Sequence, residues 1–323
     1  MNRSVKARRL PQAGVWVLVL ALALPSLHAH AADEPLAAGV LRRPVPADTA
    51  WLVRAPAADK VAYQGVASFE DATMGRYGML YPAPNLVGLL AAVVAHGVVS
   101  GAVQDKKRAA IREAADKVLA PYQPTLDTIT HSTLLPQGLA KTRRGAGKTV
   151  VPAGEAETRQ WLVETIPVYS MTQDQRALVL DNALVVRGPE AGAPVVYQNV
   201  VRVVSAPLPA GDDKPPVAGA WLADDGRLLK EVSADLFAES FDLMLGELAQ
   251  GPQAQPSEDK PHKTVRYLEG GTVKMERATP VLERCDRAVL KTLRGWLMSV
   301  PRQLGVGEEC AEAPADNKTA AAQ

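Results

Sequence analysis

Trp161–Arg187, WLVETIPVYSMTQDQRALVLDNALVVR, decides how the fold is read. Two runs rich in Val, Leu, Ile and Tyr, Trp161 to Met171 and Arg176 to Arg187, flank a polar break at Thr172 to Gln175. β-Branched and aromatic side chains suit a pleated, half-buried surface, and a short polar break between two such runs predicts a hairpin. Val195 to Ala206 repeats the composition and predicts a third strand. Pro207 to Pro216, with Asp212, Asp213 and two adjacent prolines, reads as a loop.

Downstream, Asp224-Asp225-Gly226 has the look of a helix start, where carboxylates meet the positive end of the helix dipole. Leu228, Leu229, Val232, Leu236, Phe237, Phe241, Met244, Leu245 and Leu248 follow at spacings of three and four. That period predicts an amphipathic helix over about 226–249, ended by Gly251-Pro252. Gly270-Gly271 between 264–268 and 272–277 predicts a second hairpin. Residues 281–300 read two ways. Cys285, Val289, Leu293, Trp296 and Val300 fit one helical face, and Arg284, Arg287, Lys291 and Arg294 fit another. Gly295 weakens that helix, and a buried strand ending at Pro301 competes with it. As a helix, the basic face would be solvated or would suit an anionic membrane surface.

The amino-terminal half is organised differently. Leu86–Val103, LVGLLAAVVAHGVVSGAV, runs without a charge into Lys106-Lys107-Arg108. Asn85 is a good N-cap for it, and Pro121 closes a helical region of about 86–120 with a break expected near 101–105. At 1.5 Å per residue the apolar part reaches about 27 Å, a little short of a bilayer core. His96, Ser100 and three glycines also oppose insertion. A packed central helix is therefore expected. Gly97 and Gly101, with His96 beside them, form a close helix contact inside the fold or with a partner. Short strands are expected at 51–54, 61–68 and 75–81, and a short helix at Thr125 to Leu134. The expected fold class is α+β: an amino-terminal part around the hydrophobic helix (about 86–120), and a carboxyl-terminal antiparallel sheet packed by the helix at about 226–249. The expected division is a signal peptide at 1–31, a strand and helix region at 32–137, a linker at 138–157, an α+β region at 158–310 and a disordered tail at 311–323.

Arg3, Lys6, Arg8 and Arg9, the apolar run from Ala13 and the small-x-small pattern Ala29-His30-Ala31 predict an export signal cleaved after Ala31. No Cys lies nearby to carry a lipid. The two cysteines, Cys285 and Cys310, are then expected to form a disulfide in an oxidising periplasm, which is worth about 3–4 kcal/mol in the chain-entropy picture. With 47% hydrophobic and 22% charged residues the composition is globular, and a net charge of +1 gives no pull toward nucleic acid.

Signals for chemistry are weak. RGAGKT at Arg144 to Thr149 lacks the first Gly of a phosphate loop, since Thr142 stands there, and it runs into Val150-Val151-Pro152. His131 and His262 read as surface residues, and no His, Cys or carboxylate set has ligand spacing for a metal. Ser100-Gly101 lacks the strand-to-helix elbow of a hydrolase nucleophile. No catalytic, cofactor or metal residue is expected. The expected function is a non-catalytic cell-envelope scaffold or assembly factor in the periplasm, with a small-molecule or lipid-binding module as the alternative and an enzyme as the third. The expected partner is a protein or a second copy, with membrane contact through 86–103 as the other route and no nucleic acid.

Overall fold

Strands from both halves of the chain share one mixed ten-stranded sheet, and the fold is α+β. The computed structural model describes residues 45–46, 48–67, 102–153, 160–190, 193–209, 217–250, 261–284 and 286–302. In chain order the elements are β1 (Trp51–Arg54), β2 (Ala62–Gly65), α1 (Ala102–Asp116), a 3-10 turn (Lys117–Tyr122), α2 (Gln123–Leu126), α3 (His131–Ala140) and β3 (Lys148–Val151). Then come β4 (Trp161–Met171), β5 (Leu178–Arg187), β6 (Val195–Val204), α4 (Val217–Ala249), β7 (Lys263–Glu269), β8 (Thr272–Glu283), β9 (Arg287–Thr292) and β10 (Leu297–Pro301).

The expected hairpin is the sheet's centre. β4 and β5 pair antiparallel over Leu162–Met171, and β6 extends them antiparallel. The rest of the sheet departs from the all-antiparallel expectation. β10 joins β6 in parallel, and β9, β8 and β7 follow antiparallel, β7 being the last strand on that side among the described residues. On the other flank β1 and β2 lie end to end along β4, both parallel to it, and β3 pairs parallel with β1.

Alternation sorts the side chains between faces, as the two-residue repeat of a strand requires. Leu178, Leu180, Leu184 and Val186 of β5 and Tyr197, Val201 and Val203 of β6 join Trp221, Phe237, Phe241 and Met244 of α4 in the main core. Burying one such large side chain contributes about 1.5–3 kcal/mol. Intervening positions build a second, smaller core: Val179, Val204, Met298 and Val300 with Tyr267, Ala278, Ala288 and Leu290. The β7–β8 hairpin supplies two of these.

Several expectations need correction. The stretch 138–157, expected as a linker, holds the end of α3 and the strand β3, with Trp51 N donating to Gly147 O at 2.8 Å. The single helix expected over Thr125 to Leu134 is two helices. Thr130 is extended and bridges Lys60, Val61 N donates to Ile129 O and His131 N donates to Asp59 O, so contact with 59–61 breaks the helix. α1 runs unbroken through 102–105; the rest of the segment 86–103 lies outside the described residues. Asp224-Asp225-Gly226 is a kink, with φ of 52°, 56° and 73°, between a first helical turn carrying buried Trp221 and the long amphipathic run.

The ambiguous stretch 281–300 is strand. β9 and β10 are buried, and Gly295, at φ 80°, makes their turn. Two of the basic residues expected on a solvated helix face, Arg284 and Lys291, instead bind acids of α4. Arg284 and Ser299 Oγ both donate to Glu239. Lys291 Nζ donates to Glu247 at 2.8 Å, beside Tyr197 Oη at 2.7 Å. Arg294 stacks over buried Trp296.

Candidate binding site

Two turns meet where the central sheet ends. The first is the polar break of the opening hairpin, and its Asp174 is the joint. Asp174 Oδ1 accepts from Thr172 Oγ1 at 2.7 Å and from Arg176 N at 3.1 Å, and Oδ2 accepts from Gly271 N in the β7–β8 turn. Partial burial raises the Asp174 pKa, but these donors outweigh it and hold the carboxyl below the ordinary value. Gly270 sits at φ 63°, a left-handed angle that suits Gly in a two-residue hairpin turn.

The same turn ties down the amino-terminal half. Gln173 Nε2 donates to Val66 O at 2.9 Å and to Ala115 O at 3.2 Å, and Gly65 N donates to Asp116 Oδ1 at 2.8 Å. β2 and α1 approach so closely that a Cβ at position 65 would stand 2.0 Å from Ala115 O, so only Gly fits.

Between these parts lies a cavity of about 330 Å³. Val66, Ala67, Ile111, Ala114 and Ala115 form an apolar wall. Thr172, Gln173, Asp174, Glu269, Thr272 and Lys274 line the polar side. Glu269 is only 8% exposed. Among the described residues its carboxyl has no hydrogen bond or ion pair, although Arg202 and Lys274 act on it through space. Burial pushes its pKa up, Asp181 and Asp174 push the same way, and the two cations oppose them. Arg202 is held by Asp181 in a two-pronged pair, both bonds 2.7 Å, so its guanidinium is already engaged.

The residues singled out from the sequence lie elsewhere. Cys285, Cys310, His96, Gly97, Gly101 and Ser100 fall outside the described residues. His131 is not a surface residue. It is buried, its Nδ1 2.8 Å from Ala58 O, and burial lowers its pKa. His262 is exposed. In RGAGKT, Lys148 starts β3 and its Nζ donates to Gly145 O at 3.2 Å, which ties it to its own loop. Asp224 and Asp225 pair with Arg227 and Lys230. Among the described residues no group of three or more His, Cys, Asp or Glu could hold a metal ion, and no helix is long and apolar enough to cross a membrane. The cavity escaped the sequence reading because its lining is gathered from residues 66 to 274. The one local signal was a Glu immediately before the Gly-Gly turn of the hairpin.

Comparison with family models, curated proteins and solved structures returned no significant match.

Proposed function

We propose that this is an exported, non-catalytic periplasmic protein of the cell envelope that acts as a scaffold or assembly factor by holding another protein at the β7–β8 hairpin. The observation that carries this reading is the β7 edge, which no strand pairs among the described residues, combined with the outer face of the hairpin. Val273 and Met275 of β8 are 54% and 65% exposed. Leu268 of β7 stands opposite Val273, and Arg266 opposite Met275. Thr264, Arg266 and Arg277 complete a basic, part-apolar face.

The occupant that fits is an extended segment of a partner protein, added as a strand to β7 and alternating apolar with acidic side chains. Main-chain hydrogen bonds would give the affinity, and the charges the selectivity. Lys263 and Arg266 on the edge also discourage indiscriminate strand pairing. A photo-crosslinking residue at position 275, in intact cells, tests the reading. One recurrent partner band is expected at 275 and none at buried Ala278 on the opposite face. A folded protein that gives no adduct at 275 would overturn it.

The cavity beside Glu269 favours a second reading, a periplasmic small-molecule-binding module. The two are separable, because the cavity is lined by inward-facing Glu269 while the docking face carries Arg266 and Leu268.

A further inference from the structure

Glu269 presents a physical problem. The residue is 8% exposed and its carboxyl makes no hydrogen bond among the described residues, yet its oxygens are not among the described buried side-chain atoms that lack a partner, so they keep a water-facing side. Its neighbours do not solve the problem. Arg202 is committed to Asp181, and Asp174 is filled by Thr172, Arg176 and Gly271. The open side of Glu269 is the cavity.

We propose that this cavity binds a small aliphatic zwitterion of the amino-acid type, its ammonium on Glu269, its carboxylate on Lys274 and its carbon chain against Ile111, Ala114 and Ala115. Three observations fix that class. A cavity of about 330 Å³ is at the small end of ligand sites. The polar side offers one anion that no donor fills, Glu269, and one cation, Lys274, which among the described residues makes no hydrogen bond or ion pair and acts on Glu269 through space. The opposite wall is apolar and offers no donor or acceptor side chain. A simple amine would meet Glu269 but be repelled by Lys274, and a simple acid would meet the reverse. A molecule carrying both charges and a short carbon stem satisfies all three surfaces. The occupied site would set a hydrogen-bonded counter-charge on the Glu269 carboxyl in place of water.

The test is titration calorimetry of the full chain at pH 7 with three probes of matched carbon skeleton: leucine, 3-methylbutylamine and 4-methylpentanoate. Saturable binding of leucine is expected, with the amine and the acid each at least about tenfold weaker. Glu269→Gln removes the ammonium's counter-charge and should weaken leucine binding by about 30-fold or more. Lys274→Ala should weaken leucine but leave the amine no weaker than before. Glu269→Gln relieves a buried charge, so that variant should fold at least as well as the parent, which circular dichroism checks. No saturable binding by any probe, amine binding equal to leucine, or unchanged leucine affinity in folded Glu269→Gln would each overturn the proposal. None of these outcomes bears on crosslinking at position 275, so the docking reading and this one fail separately.

Discussion

Under α4 the buried polar groups form a closed chain. Thr165 Oγ1 donates to Asn182 Oδ1 at 2.6 Å, Asn182 Nδ2 to Ser240 Oγ at 3.0 Å, and Ser240 Oγ to Phe237 O at 2.7 Å. Tyr169 Oη donates to Ser233 O at 3.0 Å in the same layer. Where the β7–β8 hairpin crosses the opposite side, the apolar cluster is small, a cavity opens beside it and Glu269 lines it with no hydrogen bond among the described residues. In the first region each of these donors meets an acceptor inside the fold. The second sets a carboxyl that no protein donor meets among the described residues beside a cavity of ligand size.

That contrast can be broken at graded cost. Phe237→Ala should produce the largest loss, about 3–5 kcal/mol in urea unfolding, because it opens a cavity among fully buried side chains of the main core. A loss under 1 kcal/mol would mean that the α4 layer is not the principal core. Arg202→Ala leaves the buried Asp181 without its partner. Because Arg202 is itself partly exposed, a loss of about 2–3 kcal/mol is expected, below the range for fully buried pairs. Asp174→Ala unties the two turns and should cost about 1–2 kcal/mol, and raise amide exchange in both turns together.

Glu269→Gln should act in the other direction. The folded-state pKa of Glu269 is raised, so the folded protein holds that proton more tightly than the unfolded chain. Stability is therefore lost as pH rises above the ordinary value of 4.5 toward the raised one. The Gln variant lacks that loss. It should melt at a higher temperature than the parent at pH 7, and the difference should vanish as pH falls below 4.5. An identical pH profile in both would remove Glu269 from the contrast. Met275→Glu should have the smallest effect, within about 0.5 kcal/mol, since that side chain is 65% exposed.

Elements whose pattern is local were legible in the sequence. β1 stands at the expected 51–54, the β4–β5 hairpin turns at Thr172 to Gln175, α4 carries the expected apolar stripe and Gly270-Gly271 makes its turn. The misread stretch shows why the remainder was not. In β9, Ala288, Val289 and Leu290 are all buried because both faces of the strand are covered, so the two-residue alternation disappears. The surviving spacing of Cys285, Val289 and Leu293 then imitates a helix, although Leu293 proves 61% exposed in a turn. Strand order carries no local mark at all: nothing in Lys148–Val151 announces that it will pair with Trp51–Arg54. The cavity is one step further removed, because its lining follows from that order.

The parallel seam between β6 and β10 has a consequence in time. Val201 to Val203 find their partners at Leu297 to Ser299, almost a hundred positions later in the chain. During synthesis the Val-rich edge of β6 stays bare until nearly the last strand has emerged, while β4, β5 and the helix that covers them can already assemble. A chain cut after α4 would present that edge as a template for other chains. Slow, non-local closure of this kind gives a protein a long vulnerable interval before it matures. β10 is in this sense a latch for the whole sheet.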